Sequence, residues 1–217
     1  MLHTLKPFRY FLLPYFLVFV ILFSFFMTFS KANLFLFINS RHNSFFDGKI
    51  AIRECAATTI VICLSLVEQR DDPLRKIWYR KLYDESCKNL KSSNPDIIHG
   101  SILAVRALVS GKGKHMDQNI REIFETLFKL REHKDIVVRK SVVQVLPDLA
   151  IYDPVLFSEE YLNTAMGYLL SQLRKEKDKN AAFLAVGEIA KAVGQSIGQY
   201  LEAIFQIIKE AFILKQY

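Results

Sequence analysis

Four segments of the 217-residue chain fall into register when aligned on one small residue: Cys55, Gly100, Ser141 and Ala181. The intervals are 45, 41 and 40 residues. Two positions on stand Ala57, Ile102, Val143 and Phe183, and four positions on stand Thr59, Ala104, Val145 and Ala185. Five positions on stand Ile60, Val105, Leu146 and Val186, and eight positions on stand Cys63, Leu108, Leu149 and Ile189. Apolar residues at steps of three and four mark a helix with one buried face. A period near forty residues marks a stack of two-helix units, none of which can bury its stripe alone.

The partner helices lie between these segments. Leu74–Leu90 follows Pro73, which suits a first-turn proline. Asn119–Arg131 carries Ile120, Ile123, Phe124, Leu127 and Leu130 at helical spacing. Ser158–Arg174 opens with Ser158 as an expected cap and Glu159 and Glu160 in the first turn. Ile197–Phe212 ends the series, and its apolar stripe calls for a further repeat to cover it. Asp47 and Asp135 precede the turn pairs Ile52-Arg53 and Val138-Arg139, where an aspartate can cap free backbone N–H groups. The connectors 91–96, 111–116, 153–157 and 175–180 are short, and no strand pattern competes. Cys55 and Cys63 read as small core residues, and the three cysteines have no CxxC spacing for a zinc site. The expected fold is therefore all-α, and the pattern resembles a HEAT/armadillo-type solenoid of about four helix pairs over 47–217.

Residues 1–46 differ from the rest. They hold 12 of the 18 phenylalanines, four basic residues and no acidic one. Phe11–Phe29 is almost wholly apolar and, at 19 residues, long enough to cross a bilayer as a helix. It reads as an apolar helix preceding the solenoid, either a transmembrane anchor or a product of a mistaken gene start. A cleaved signal peptide fits least, since no small-x-small site follows.

The net charge of +7 contracts to +3 over 47–217, too balanced to track a phosphate backbone, so no nucleic-acid partner is expected. Chemistry is equally sparse. Ser110–Lys114 lacks the first glycine and the final Ser/Thr of a phosphate loop. The five histidines are scattered, and His99 reads as a packing or capping residue. No catalytic, cofactor-binding or metal-binding residue is expected. Trp78 and Tyr79 read first as core; as surface residues they would be partner-binding anchors.

Several runs in order sharpen the reading: Ala51-Ile52-Arg53-Glu54-Cys55-Ala56, Trp78-Tyr79-Arg80, Ile98-His99-Gly100, Leu146-Pro147-x-Leu149-Ala150, Tyr161-Leu162, Lys175-Glu176-Lys177 and Ala181-Ala182-Phe183-x-Ala185-x-Gly187. Together, over about Asp47–Phe212, they resemble the N-terminal HEAT region of the target of rapamycin (TOR) protein kinases. The resemblance implies a cytoplasmic scaffold, a platform for dimerisation and for accessory subunits such as the raptor type. It implies no catalytic residue here, because the kinase motifs of that family have no counterpart in the chain. Two departures stand out: residues 1–46 are unlike HEAT sequence, and 111–116 is short where animal members carry a long insertion. The rival reading is a HEAT/armadillo-like adaptor held to a membrane through residues 11–29.

Overall fold

The computed structural model describes residues 43–69, 75–111, 119–174 and 179–213. The apolar run Phe11–Phe29 and the rest of the Phe-rich segment to residue 42 lie outside these residues, as do Pro73 and residues 112–118 and 175–178 of the connectors. Among the described residues there is no strand, and no helix is long and apolar enough to cross a membrane.

Among the described residues, after a short 3-10 helix at Asn43–Phe46, eight long helices follow: α1 (Ile50–Gln69), α2 (Arg75–Asn89), α3 (Pro95–Val109), α4 (Ile120–Leu130), α5 (Ile136–Tyr152), α6 (Leu162–Leu173), α7 (Lys179–Val193) and α8 (Leu201–Ile213). The odd-numbered helices pack in succession, α1 on α3, α3 on α5 and α5 on α7. The even-numbered helices lie against them, α2 on α3, α4 on α5 and α6 on α7. This is the all-α solenoid that the forty-residue register predicts, with the aligned segments forming the inner row.

Local chemistry fixes the helix starts. Asn94 Oδ1 accepts from the Asp96 N–H at 2.8 Å, and Pro95 needs no partner at the first position. Asp135 Oδ1 accepts from the N–H groups of Val137 at 2.7 Å and Val138 at 3.3 Å, the capping role expected of it. Gly194, at φ +56°, ends α7 in the left-handed region and turns the chain into a 3-10 segment, Gly194–Tyr200.

Two expectations are corrected. Ser158 is not a cap: Asp153 Oδ1 accepts from the Leu156 N–H at 3.0 Å, so the chain turns helical already at Pro154–Leu156. A wide π turn at Phe157–Tyr161 then leads into α6, and Ser158 Oγ donates back to the Pro154 carbonyl. Cys55 is not core. It is exposed, whereas Gly100 and Ser141 in the same column are buried. Among the described residues of the inner row, α1 packs on α3, whereas α3 and α5 each pack on two inner helices. Cys63 is buried as expected, and desolvation pushes its thiol up to about 12, which keeps it unreactive.

Two inner columns close as the register requires, while Ala57, Thr59, Ala181 and Phe183 of the others are half-buried. Ile60, Val105, Leu146 and Val186 are buried, as are Cys63, Leu108, Leu149 and Ile189. Each buried Leu or Ile stabilises the stack by about 1.5–3 kcal/mol. The small residue at Gly100 does bring backbones together, but its partner is unexpected. A Cβ there would lie 1.7 Å from the Phe45 carbonyl oxygen, so the Asn43–Phe46 segment packs directly on the bare backbone of α3.

Candidate functional site

Trp78 and Tyr79 lie on α2 and are 5% and 2% exposed. Both rings belong to the packed interior, and a Cβ on Gly111 would meet the Tyr79 hydroxyl at 2.4 Å. Little of either residue is left for a partner to touch. What the described residues do display is a ladder of polar cross-links and an apolar face open to solvent.

The cross-links join successive repeats. On the outer row, the Tyr83 hydroxyl of α2 donates to Glu122 of α4 at 2.8 Å. Arg121 of α4 grips Glu160 with two parallel bonds, at 3.0 and 2.6 Å. Tyr200, just before α8, donates to Asn163 of α6 at 3.3 Å. Pairing holds the Glu160 carboxyl below the usual carboxylate range. On the inner row, Arg106 of α3 meets Asp148 of α5 at 2.8 Å. Burial raises the Asp148 carboxyl, and Arg106 opposes that rise. Between α4 and the π turn, Phe124 stacks on Tyr161 with centroids 4.0 Å apart and meets Phe157 at 5.6 Å. From the sequence, Glu160 reads only as a first-turn acid that suits the helix dipole, and Arg121 carries no assignment. The available signal was spacing, since Tyr83–Glu122 and Arg121–Glu160 are both one 39-residue step apart.

The most enclosed charged side chain among the described residues is Arg53, only 1% exposed. Its Nε donates to His99 Nδ1 at 2.8 Å, and its NH1 donates to the Asp47 carbonyl at 2.5 Å and meets Asp96 at 2.7 Å. Arg139 makes the corresponding bond two repeats on, to the His133 carbonyl six residues earlier. His99 is buried, so it is the packing residue expected of it. Desolvation pushes it down to about 4, the Arg53 charge acts the same way, and Asp96 and Asp135 act against it. Among the described residues no group of three or more His, Cys, Asp or Glu side chains could hold a metal ion.

The uncovered face lies on α7 and α8. One outer-row register runs Ile123, Leu162, Leu201 and a second runs Leu127, Met166, Phe205, each in steps of 39 residues. Ile123, Leu127, Leu162 and Met166 are buried. Leu201 and Phe205 are 42% and 56% exposed. On α7, Leu184 is exposed, and Gly187 is open where its counterpart Pro147 on α5 is buried. Core positions of α4 and α6 are thus surface positions of α8.

No family model matches the chain. Among curated proteins it is 34% identical over 169 residues to serine/threonine-protein kinase tor1 of Schizosaccharomyces pombe, covering 78% of this chain. It is 33% identical over 177 residues to serine/threonine-protein kinase TOR2 of Saccharomyces cerevisiae, and 31% over 166 residues to serine/threonine-protein kinase TOR of Arabidopsis thaliana. The chain spans about 7% of the length of these relatives.

Proposed function

The chain belongs to the TOR serine/threonine-protein kinase family as a helical segment, and on that premise we propose that it acts as a scaffold in TOR signalling. In this reading it helps form the platform for dimerisation and for accessory subunits of the raptor type, in the cytoplasm as part of a TOR complex. Phosphoryl transfer belongs elsewhere in the parent protein.

One observation carries the reading. Leu201 and Phe205 repeat the register of buried core residues yet stand in solvent. Apolar surface in solvent is unfavourable by about 25 cal/mol per Å² relative to burial, and a face of this register fits a further helix pair. We infer that the face couples this segment to the next part of the platform.

The test is made in the parent kinase, with Leu201→Asp and Phe205→Asp together. The expected result is loss of co-purifying raptor-type subunit and of the dimer in sedimentation, with helicity kept. A double variant that assembles as well as the parent would overturn the scaffold reading for this face. The purified 217-residue chain, given ATP and a protein substrate, is expected to transfer no phosphate.

A further inference from the structure

The cluster around Arg53 does more than fill space. Arginine Nε carries a hydrogen and can only donate, so His99 Nδ1 must be bare and the ring proton must sit on Nε2. The bond at 2.8 Å therefore exists only while His99 is neutral. The same guanidinium reaches Asp96 on α3 and the Asp47 carbonyl, just beyond the Asn43–Phe46 segment. That segment lies on both α1 and α3, with Phe45 fully buried and its carbonyl against Gly100. One side chain thus ties three stretches of chain, and one ring nitrogen decides whether its central bond can form.

We propose that Arg53 and His99 form an acid-released latch that holds α1 and the Asn43–Phe46 strap onto α3. A proton arriving at Nδ1 places an N–H against an N–H and a positive ring beside a positive guanidinium. The pair must separate, and α1 with its strap opens from the stack while α3, α5 and α7 stay packed. Among the described residues, the charges acting on the ring come from Arg53 on α1, Asp96 on its own helix and Asp135 at the head of α5. The Asp47 carboxylate is turned to the Lys49 N–H. The two aspartates favour the proton, whereas burial and Arg53 resist it and prevail. The sign follows from linkage. The ring's folded value lies near 4, below its ordinary 6.5, so the closed form is favoured fully above pH 6.5 and loses ground as pH falls toward 4. The inference rests on the α1–α3 contact alone and is independent of the scaffold proposal.

The test is amide hydrogen exchange on the full chain, read as protection factors at pH 7 and pH 5. Protection over Ile50–Cys63 is expected to fall roughly twentyfold between these values, the share of one proton taken up on opening. Protection over α5 is expected to hold. In His99→Gln, whose side-chain oxygen can still accept from Arg53, the fall over Ile50–Cys63 is expected to shrink to a few-fold. An equal fall in the two proteins, or one shared evenly by α1 and α5, would overturn the latch. Nitrogen NMR of the wild-type imidazole gives a second check that needs no variant. Nδ1 is expected unprotonated at pH 7, gaining its proton as α1 opens; a protonated Nδ1 at pH 7 would also overturn the proposal.

Discussion

Leu162 and Leu201 hold the same register position in successive outer helices, 39 residues apart, yet one is buried and the other 42% exposed. Met166 and Phe205 repeat the contrast. The residue types hardly differ, so the exposure of α8 is a matter of neighbours rather than composition. In a stacked array a residue's burial is set by the adjacent repeat, and the same side chain is core or surface according to whether that repeat is there. The inner row carries a like contrast, with Cys55 exposed while Gly100 and Ser141 are buried.

This contrast can be broken most easily at α2. Trp78→Ala is expected to cost about 3–5 kcal/mol in urea unfolding, since the ring is core. An unchanged midpoint together with lost partner capture would instead make Trp78 a surface anchor. Met166→Ala against Phe205→Ala is the direct comparison of the two registers. The first is expected to cost about 2–5 kcal/mol and the second no more than about 0.5. Equal losses would mean that α8 is covered in solution. The His99 ring supplies a pH test on the buried side of the comparison. Its depressed value withholds up to about 3 kcal/mol of stability as pH drops from 6.5 toward 4, visible as a steeper acid loss than in His99→Gln. Glycines give the finest contrast. Gly100→Ala drives a methyl into the Phe45 backbone and is expected to cost about 1–3 kcal/mol. Gly187→Ala has open space and lies within α7, so it is expected to stabilise by about 0.5–1 kcal/mol.

Much of this was legible from the sequence, and the reasons are physical. The register at Ile60, Val105, Leu146 and Val186 is written into composition because stacking repeats demand the same face each time. Asp135 as a cap could be read locally, since its partners lie two and three residues on. Arg121 with Glu160, and Arg53 with His99, could not be read so directly. Each partner sits a full repeat away, and a charged residue on a helix carries no sign of which neighbour it will meet. Ser158 misled for a related reason: it has the right chemistry for a helix start, but Asp153 and Pro154 begin the turn sooner. Trp78 and Tyr79 are ambiguous by nature, because large aromatic side chains serve interiors and interfaces alike.

The ladder of polar cross-links has a mechanical consequence. Its ties from Arg53 to His99, Arg106 to Asp148, Arg121 to Glu160 and Tyr200 to Asn163 each reach only one unit along the row. Tension applied along such a row is felt at every seam, and with no tie spanning two seams each can give way separately. Stretched in an optical trap, the array should peel from an end in small, evenly sized steps and re-seat in the reverse order when the pull is relaxed.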